Sequence, residues 1–288
     1  MPTYEYQRTV KSSLSDELIN TYLLRPVAGL IVSSLYRTSV TPNQVTIAST
    51  IAGIVAAVLY LNDAAASTAA AGLMVTVKDV LDSADGQLAR AKGLYTRIGR
   101  FLDSIGDFLV DLALFGAIGW TLFKSSGDPW MILLAVLGLL GITLRVSYHV
   151  FYQTSFLHLE DRYVGNRVTE DITQDDLNGE QLALVLQRIF LSIYGWQDRL
   201  MVRLDAWCRG KQSERDVLSR WYSDPVALRL SGLIGIGTEL FLLMVCSLFN
   251  ELRLYLVLNV LLMNGILFIS ILYRRFVLFP SLVPKGQP

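Results

Sequence analysis

The sequence predicts an all-α polytopic membrane protein in which six transmembrane helices follow an interfacial amphipathic helix. Hydrophobic residues make up 52% of the 288 residues and charged residues only 17%, and the mean hydropathy is +0.43. A chain this apolar is unusual among soluble domains. Its apolar residues are also gathered into segments of about 20 residues, which is the length that a helix needs to cross a bilayer.

Six apolar segments have the length of a membrane span. They are separated by short stretches rich in turn-forming residues, and they cover residues 43–62, 66–90, 98–123, 128–152, 225–249 and 252–274. If the N-terminus is cytoplasmic, the loops on the opposite side contain only two basic residues, Lys124 and Arg253. The positive-inside rule therefore predicts that both termini are cytoplasmic. We expect a multi-pass protein of the cell inner membrane or an equivalent membrane.

Two further segments have the pattern of amphipathic helices. Residues 15–37 carry apolar residues at helical spacing, and we expect this helix to lie on the inner leaflet ahead of the first span. Residues 181–209 also carry apolar residues at steps of three or four, with arginines among them. This second helix either lies at the membrane interface or packs on a partner, and the sequence leaves both possibilities open.

These features divide the chain into five parts. We expect a cytoplasmic N-terminus with the interfacial helix over 1–41, spans one to four over 42–155, a cytoplasmic segment with an amphipathic helix over 156–223, spans five and six over 224–276, and a cytoplasmic tail over 277–288. The residues that indicate chemistry are concentrated in the second part.

Four aspartates interrupt the second and third predicted spans: Asp82, Asp85, Asp103 and Asp107. On a helix, the members of each successive pair are three or four residues apart and share a face. A short turn between the two helices would make them antiparallel neighbours and bring the pairs level. Carboxylates are costly inside a membrane unless something neutralises them. An all-oxygen cluster of this kind suits Mg²⁺ or Mn²⁺ at one or two sites.

Small residues and an arginine lie beside the acidic pairs. Gly86, Ala89 and Gly99 leave space in which a ligand can approach the backbone, although they can equally serve close helix packing. Arg90 can meet a phosphate or act only as a positive-inside residue. Together with metal ions, these residues indicate a diphosphate ligand and phosphoryl transfer. The two histidines of the chain lie elsewhere, which argues against zinc.

At these positions the sequence resembles a known family. The pattern Asp82-x-x-Asp85-Gly86-x-x-Ala89-Arg90, followed by Gly99-x-x-x-Asp103-x-x-x-Asp107, resembles the signature of the CDP-alcohol phosphotransferases, with every signature position filled. The stretch TPNQVT, which contains Asn43 and Thr46, is also similar to the family. The resemblance covers residues 15–155 well and the last two spans only in outline.

The resemblance implies an enzyme of phospholipid biosynthesis. Members of this family transfer the phosphoryl-alcohol part of a CDP-linked donor to an acceptor hydroxyl and release CMP. The implied ligands of two Mg²⁺ or Mn²⁺ ions are Asp82, Asp85, Asp103 and Asp107, and Asp107 would also be the general base. The implied CDP-binding residues are Asn43, Thr46, Asp82, Gly86, Ala89, Arg90 and Gly99.

The partners follow from the same resemblance. The donor would be CDP-diacylglycerol rather than a CDP-linked small alcohol, and the acceptor a small alcohol or sugar phosphate. We expect a homodimer among membrane lipids, with a cytoplasmic active site and no nucleic-acid partner. A divalent-cation or proton-coupled transporter is the alternative, because it would also place carboxylates among spans. Transport predicts discontinuous helices or duplicated halves, whereas the acidic pairs occur once.

Two arginines in apolar segments, Arg145 and Arg229, are candidates for binding the acceptor. A charge in a span is costly unless it snorkels or meets an anion. We expect both to hold an acceptor phosphate at the metal site. Snorkelling is the alternative for Arg229, and a structural pair with Asp79 or Asp111 is the alternative for Arg145. These two aspartates extend the acidic faces by one turn, and we expect them to pair with Lys78 or to bind water.

Overall fold

The computed structural model describes residues 6, 14–159, 170–177, 180–210 and 214–282, and these residues form helices, turns and loops without a strand. The helices are α1 (Arg25–Leu35), α2 (Pro42–Tyr60), α3 (Ala65–Lys92), α4 (Arg97–Ser126), α5 (Trp130–Leu159), α6 (Gln174–Leu177), α7 (Gln181–Arg209), α8 (Arg215–Ser223), α9 (Pro225–Gly232), α10 (Ile236–Leu248) and α11 (Leu252–Leu282). Short π-helical stretches precede α1 at Asn20–Leu24 and lie within α11 at Leu258–Met263 and Arg274–Leu278. The predicted all-α class is confirmed.

Capping residues fix the starts of α2 and α4. The Thr41 side chain accepts from the Gln44 N–H, and the Gln44 side chain accepts from the Thr41 N–H, which forms a capping box. Thr96 caps α4 by accepting from the Gly99 N–H. Between them, α3 ends at Gly93 with φ +66°, a left-handed conformation that glycine adopts without strain. The result is the predicted tight turn between α3 and α4.

Helix α2 packs against both helices that carry the aspartates, and α4 and α3 also pack against α5 and α10 respectively. The core of this bundle is apolar and includes Ala56, Val75, Leu114 and Leu240. The sequence analysis expected α3 and α4 to be close neighbours. They meet through polar side chains, such as Lys78 of α3 and Asp107 of α4, and each has its main backbone contacts with α2.

Length and composition identify three helices that could cross a membrane, namely α2, α5 and α11. The pair α9 and α10 adds a fourth span, which is bent by 41° where the two helices meet. The aspartate-bearing helices α3 and α4 are 28 and 30 residues long but are not among those identified. Six spans with both termini inside therefore remain a prediction. The break in the predicted fifth span was not anticipated.

The N-terminal segment packs against this break. Glu17 Oε2 accepts from the backbone N–H of Thr238, at 2.9 Å, in the first turn of α10. Gly235 lies at the break, and a Cβ on it would approach the Glu17 carboxyl carbon to 2.2 Å. Only a residue without a side chain therefore fits. Glu17 supplies the capping acceptor that the first turn of α10 needs.

Helix α1 has one buried and one exposed face. Ala28 and Val32 pack on Ala84 and Leu88 of α3, whereas apolar side chains such as Leu30 are exposed on the other side. This two-sided pattern agrees with the predicted amphipathic helix, and its position on the inner leaflet remains a prediction.

Candidate active site

Three of the four signature aspartates meet between α3 and α4. One carboxylate oxygen from each of Asp82, Asp85 and Asp103 lies within 4.8 Å of the others. The first two are one turn apart on α3, and Asp103 faces them from α4. Like charges this close repel strongly in a low-dielectric interior. The three oxygens are near enough to share one cation that would offset this repulsion.

Two details fit a bound divalent cation. Thr46 Oγ1 donates to Asp85 and so orients that carboxylate, as hydrogen-bond partners of metal ligands commonly do. Oδ1 of Asp103 is buried and has no hydrogen-bond partner among the residues that the structure describes. The donors are all oxygen, the type that Mg²⁺ and Mn²⁺ prefer. The residues present therefore fit the predicted ion.

The fourth aspartate, Asp107, is paired with a lysine. Lys78 Nζ donates to Asp107 Oδ1 and lies 3.7 Å from Asp82 Oδ1. The lysine side chain is 3% exposed, and these two carboxylates offset the cost of its charge. The sequence analysis expected Lys78 to pair with Asp79 or Asp111, but the ion pairs described for it go to Asp82 and Asp107.

A cavity of about 280 Å³ opens beside the aspartates. It is lined by every residue matched to a CDP-binding position, namely Asn43, Thr46, Asp82, Gly86, Ala89, Arg90 and Gly99. Asp85 and Asp103 also line it, whereas Asp107 does not. The structure therefore brings the nucleotide candidates and three of the metal candidates to one place.

The two signature glycines have different roles. A Cβ on Gly99 would lie 2.7 Å from Asn43 Oδ1, which is too close, so glycine here allows α4 to approach α2. The nearest atom to a Cβ on Gly86 would be a guanidinium nitrogen of Arg90 at 3.5 Å. Arg90 also donates to the Tyr95 hydroxyl at 3.3 Å. Gly99 therefore serves packing, and Gly86 keeps the cavity wall open.

A second part of the cavity wall consists of residues that the sequence analysis did not assign to the site. They come from the N-terminal segment and from helices α1, α4 and α5, and include Asp16, Glu17, Asn20, Arg25, Arg100, His149 and Gln153. Gln153 Nε2 donates to the Ser15 carbonyl at 2.8 Å and so ties the N-terminal segment to α5. The sequence did contain a signal for some of these lining residues, because a polar or titratable residue within an apolar segment, such as His149, often belongs to a functional site.

The basic groups of this wall have acidic partners. Arg25 Nε lies 2.6 Å from Asp16 Oδ2, and Arg100 Nη1 lies 2.5 Å from Glu170 Oε1. Burial raises the pKa of Glu17 to about 8, although the hydrogen bond from the Thr238 backbone lowers it. Burial therefore favours the neutral form of Glu17 over the carboxylate, relative to an ordinary glutamate.

Arg145 lies inside the bundle rather than at the cavity. Its side chain is fully buried, and it donates to Glu239 at 2.9 Å, to the Asn264 side chain at 2.7 Å and to the Asn259 carbonyl at 3.2 Å. These partners belong to α10 and α11. The expected acceptor-binding role of Arg145 has no support from these contacts, and its carboxylate partner is Glu239 rather than an aspartate of α3 or α4.

Arg229 is exposed on α9 and does not line the cavity either. An exposed arginine near the predicted inner end of a span agrees with the snorkelling alternative. The structure therefore brings neither candidate arginine to the aspartates.

We expect Arg145→Ala to reduce the amount of folded protein, because it leaves Glu239 buried without its partner. Breaking a buried ion pair from one side costs about 3–5 kcal/mol. Thermal unfolding in detergent should show this loss, and Arg145→Leu combined with Glu239→Leu should recover much of it. A stably folded Arg145→Ala protein with a raised acceptor KM would instead restore the acceptor-binding role.

A sequence model of the CDP-alcohol phosphatidyltransferases matches residues 39–197, which is more than half of the chain. The chain belongs to the CDP-alcohol phosphatidyltransferase family. The matched region of this family member contains the acidic signature, α2 to α5 and most of α7.

Curated relatives give the same assignment. The chain is 32% identical over 141 residues to the bifunctional IPC transferase and DIPP synthase of Thermococcus kodakarensis, covering 49% of this chain and 31% of the relative. It is 34% identical over 126 residues to the phosphatidylinositol phosphate synthase of Corynebacterium glutamicum, covering 44% and 55% respectively. A bifunctional IPC transferase and DIPP synthase of Aquifex aeolicus is 30% identical over 199 residues, covering 68% and 42%. The matched part of the chain thus spans about a third to just over half of each relative.

Proposed function

We propose that this chain transfers a phosphatidyl group from CDP-diacylglycerol to a hydroxyl of a phosphorylated polyol and releases CMP. One observation carries the proposal. Asp82, Asp85 and Asp103 meet at a cavity that is lined by all the residues matched to CDP-binding positions.

The proposed metal ligands are the three clustered aspartates, Asp82, Asp85 and Asp103. A bound Mg²⁺ or Mn²⁺ would neutralise the diphosphate of the donor and stabilise the departing CMP. The resemblance implies two ions, and the cluster of three supports one site directly. A second site would need Asp107, whose Oδ1 accepts from Lys78.

Asp107 is the proposed general base. The acceptor oxygen attacks the phosphorus that bears the lipid, its proton passes to Asp107, and the bond from that phosphorus to CMP breaks so that CMP leaves with the electron pair. Lys78 holds Oδ1 of this carboxylate, which leaves Oδ2 to accept the proton. The lysine also offsets part of the negative charge of the cluster.

We place the nucleotide against α2 and the ends of α3 and α4. Asn43 and Thr46 line this side of the cavity, Gly86 and Ala89 leave it open, and Arg90 is positioned to meet a phosphate. A guanidinium suits that role because it can donate two parallel hydrogen bonds to phosphate oxygens.

The acceptor would occupy the second part of the wall. Arg25, Arg100 and His149 line it and are not matched to nucleotide positions. The two arginines pair with Asp16 and Glu170, so a second anion would share them with these carboxylates. A relative named phosphatidylinositol phosphate synthase makes inositol phosphate the first acceptor to test. The exposed Arg229 remains a secondary candidate.

A transporter is disfavoured by the family membership and by the site. The discontinuous span that transport predicts does occur at α9 and α10, but the break is closed by Glu17 and Thr238 and the clustered aspartates belong to α3 and α4. We propose an integral membrane enzyme with six spans, both termini and the active site on the cytoplasmic side, and a homodimeric assembly.

The test uses the purified full chain with CDP-diacylglycerol, Mg²⁺ and a panel of acceptors, scored by CMP release. We expect myo-inositol phosphate to exceed unphosphorylated inositol in kcat/KM by on the order of a hundredfold, because a site built for a polar group rejects an analogue that lacks it. Equal use of the two would overturn the acceptor assignment. No CMP release with any acceptor in the panel would count against the transferase itself.

A further inference from the structure

Helix α7 runs across the sides of α4, α5 and α11. Phe190 packs on Phe101 of α4 with ring centroids 5.4 Å apart, and the Tyr194 hydroxyl donates to the Ser104 carbonyl at 2.9 Å. Farther along α7, Asp205 accepts from the hydroxyl of Tyr152 in α5 at 3.1 Å. These contacts bury one face of the helix along most of its length.

The contacts also give the level at which α7 crosses the bundle. An α-helix rises about 1.5 Å per residue, so Ser104 lies about 33 Å from Ser126, the residue at the C-terminal end of α4. Ser147, whose hydroxyl donates to Gln197 at 2.5 Å, lies about 26 Å along α5 from its far end at Trp130. Both distances are close to the thickness of a hydrocarbon core, about 30 Å. If α4 and α5 both cross the membrane, as the sequence predicts, α7 lies at one edge of that core, on the side of the aspartates.

A second face of α7 is apolar and exposed. Its residues follow one another at steps of three, four or seven and form a single stripe: Leu182, Val185, Ile189, Trp196, Leu200 and Trp207. Tryptophan favours the boundary between membrane and water. Exposed apolar side chains also occur on helices that could span a membrane, such as Leu140 of α5 and Phe268 of α11.

Three exposed arginines, Arg188, Arg199 and Arg203, follow one edge of this stripe. Successive residues of an α-helix are rotated by about 100° around its axis. The three arginines therefore project from α7 within about 60° of one another, on the side away from the buried face. None of them belongs to an ion pair among the residues that the structure describes. A row of cations at the edge of an inserted apolar stripe lies at the depth of the headgroups.

We propose that α7 lies in the plane of the membrane, with its apolar stripe inserted into the leaflet on the aspartate side and with Arg188, Arg199 and Arg203 bound to anionic phospholipid headgroups. A second copy of α7 fits this surface less well. In a twofold contact the same patch meets itself, so the arginine rows would face each other. The opposite edge of the stripe carries Leu186, Ile193 and Leu204 and offers no carboxylate to balance them.

The insertion of the stripe is tested by spin labelling of the full chain in nanodiscs of phosphatidylcholine and phosphatidylglycerol. Leu200→Cys and Val202→Cys form a matched pair, because both residues are 41% exposed but lie on opposite sides of α7. The unsubstituted protein, whose two cysteines are buried, gives the background. We expect the label at position 200 to be relaxed more by O₂ than by a water-soluble nickel chelate, and the label at 202 to show the reverse. Equal access of the nickel chelate to both positions, or disulfide-linked dimers through position 200, would overturn the proposal.

The arginine row is tested by the lipids that the protein retains. Replacing all three arginines with glutamine should lower the enrichment of phosphatidylglycerol over phosphatidylcholine, measured by native mass spectrometry, by about tenfold or more, since each basic residue at an anionic surface contributes roughly fivefold. Replacement with lysine should keep most of the enrichment, because the charge remains. An unchanged enrichment in the glutamine variant would contradict headgroup binding by this row.

Discussion

We expect Asp107→Asn to lower the rate of CMP release by about 10²–10⁴, which is the usual contribution of a positioned general base. The amide keeps the shape of the side chain and can still contact Lys78, but it cannot take the proton of the acceptor hydroxyl. Binding of CDP-diacylglycerol, measured by equilibrium binding in detergent, should stay within a few-fold of the unsubstituted protein. The loss should therefore appear in kcat.

Asp111→Asn is the matched control. Asp111 lies one turn farther along the same face of α4 and is more buried than Asp107, and the ion pairs described for Lys78 go to Asp82 and Asp107 and not to Asp111. Its replacement should leave kcat within a few-fold. Equal losses in the two variants would mean that the rate depends on the charge of this face rather than on a proton acceptor at Asp107.

The second large effect is the loss of activity when divalent cations are removed. We expect EDTA to abolish CMP release and Mg²⁺ or Mn²⁺ to restore it, because the cation would offset the charge of both the diphosphate and the clustered carboxylates. Asp103→Asn should abolish the restored activity and weaken Mn²⁺ binding, followed by the paramagnetic resonance of the free ion. Asp111→Asn should bind Mn²⁺ like the unsubstituted protein.

The Mn²⁺ titration also gives the number of ions. Suppose that each protein binds two Mn²⁺ ions and that the Asp107→Asn variant binds one. Asp107 would then be a ligand of the second ion and would no longer pair with Lys78 when that ion is bound. If the unsubstituted protein and the Asp107→Asn variant each bind one Mn²⁺ ion, Asp107 is not a metal ligand. That result would agree with Asp107 as a general base that pairs with Lys78. Full activity in EDTA, or recovery with Zn²⁺ alone, would contradict the oxygen-ligand site.

The helical class and the grouping of three of the four aspartates could be predicted from the sequence, because both depend on local spacing. The amphipathic segment 181–209 and the observed α7 have the same bounds, and residues three or four apart on a helix share a face wherever it packs. The spacing of Asp82 and Asp85, together with the short turn to α4, was therefore enough to group the metal candidates.

Pairings between distant segments could not be predicted in this way. Arg145 and Glu239 are 94 positions apart, and helical periodicity does not indicate which helices become neighbours. A useful signal was present nevertheless, since Glu239 is a carboxylate in an apolar segment and such residues usually pair. The contribution of the N-terminal segment to the cavity could not be predicted for the same reason. Its partners in α5 and α10 lie far along the chain, and local spacing does not indicate such contacts.

The bond between Glu17 and Thr238 joins residues 221 positions apart, and this separation sets an order on biosynthesis. At about 5–20 residues per second, the ribosome needs roughly 10–40 s after Glu17 to complete Thr238. Throughout that interval the N-terminal segment has no α10 to cap, although its bond to Gln153 of α5 can already form. The break between α9 and α10 can therefore be closed only after translation has passed Thr238, so the N-terminal segment is tied to α5 before it is tied to α10.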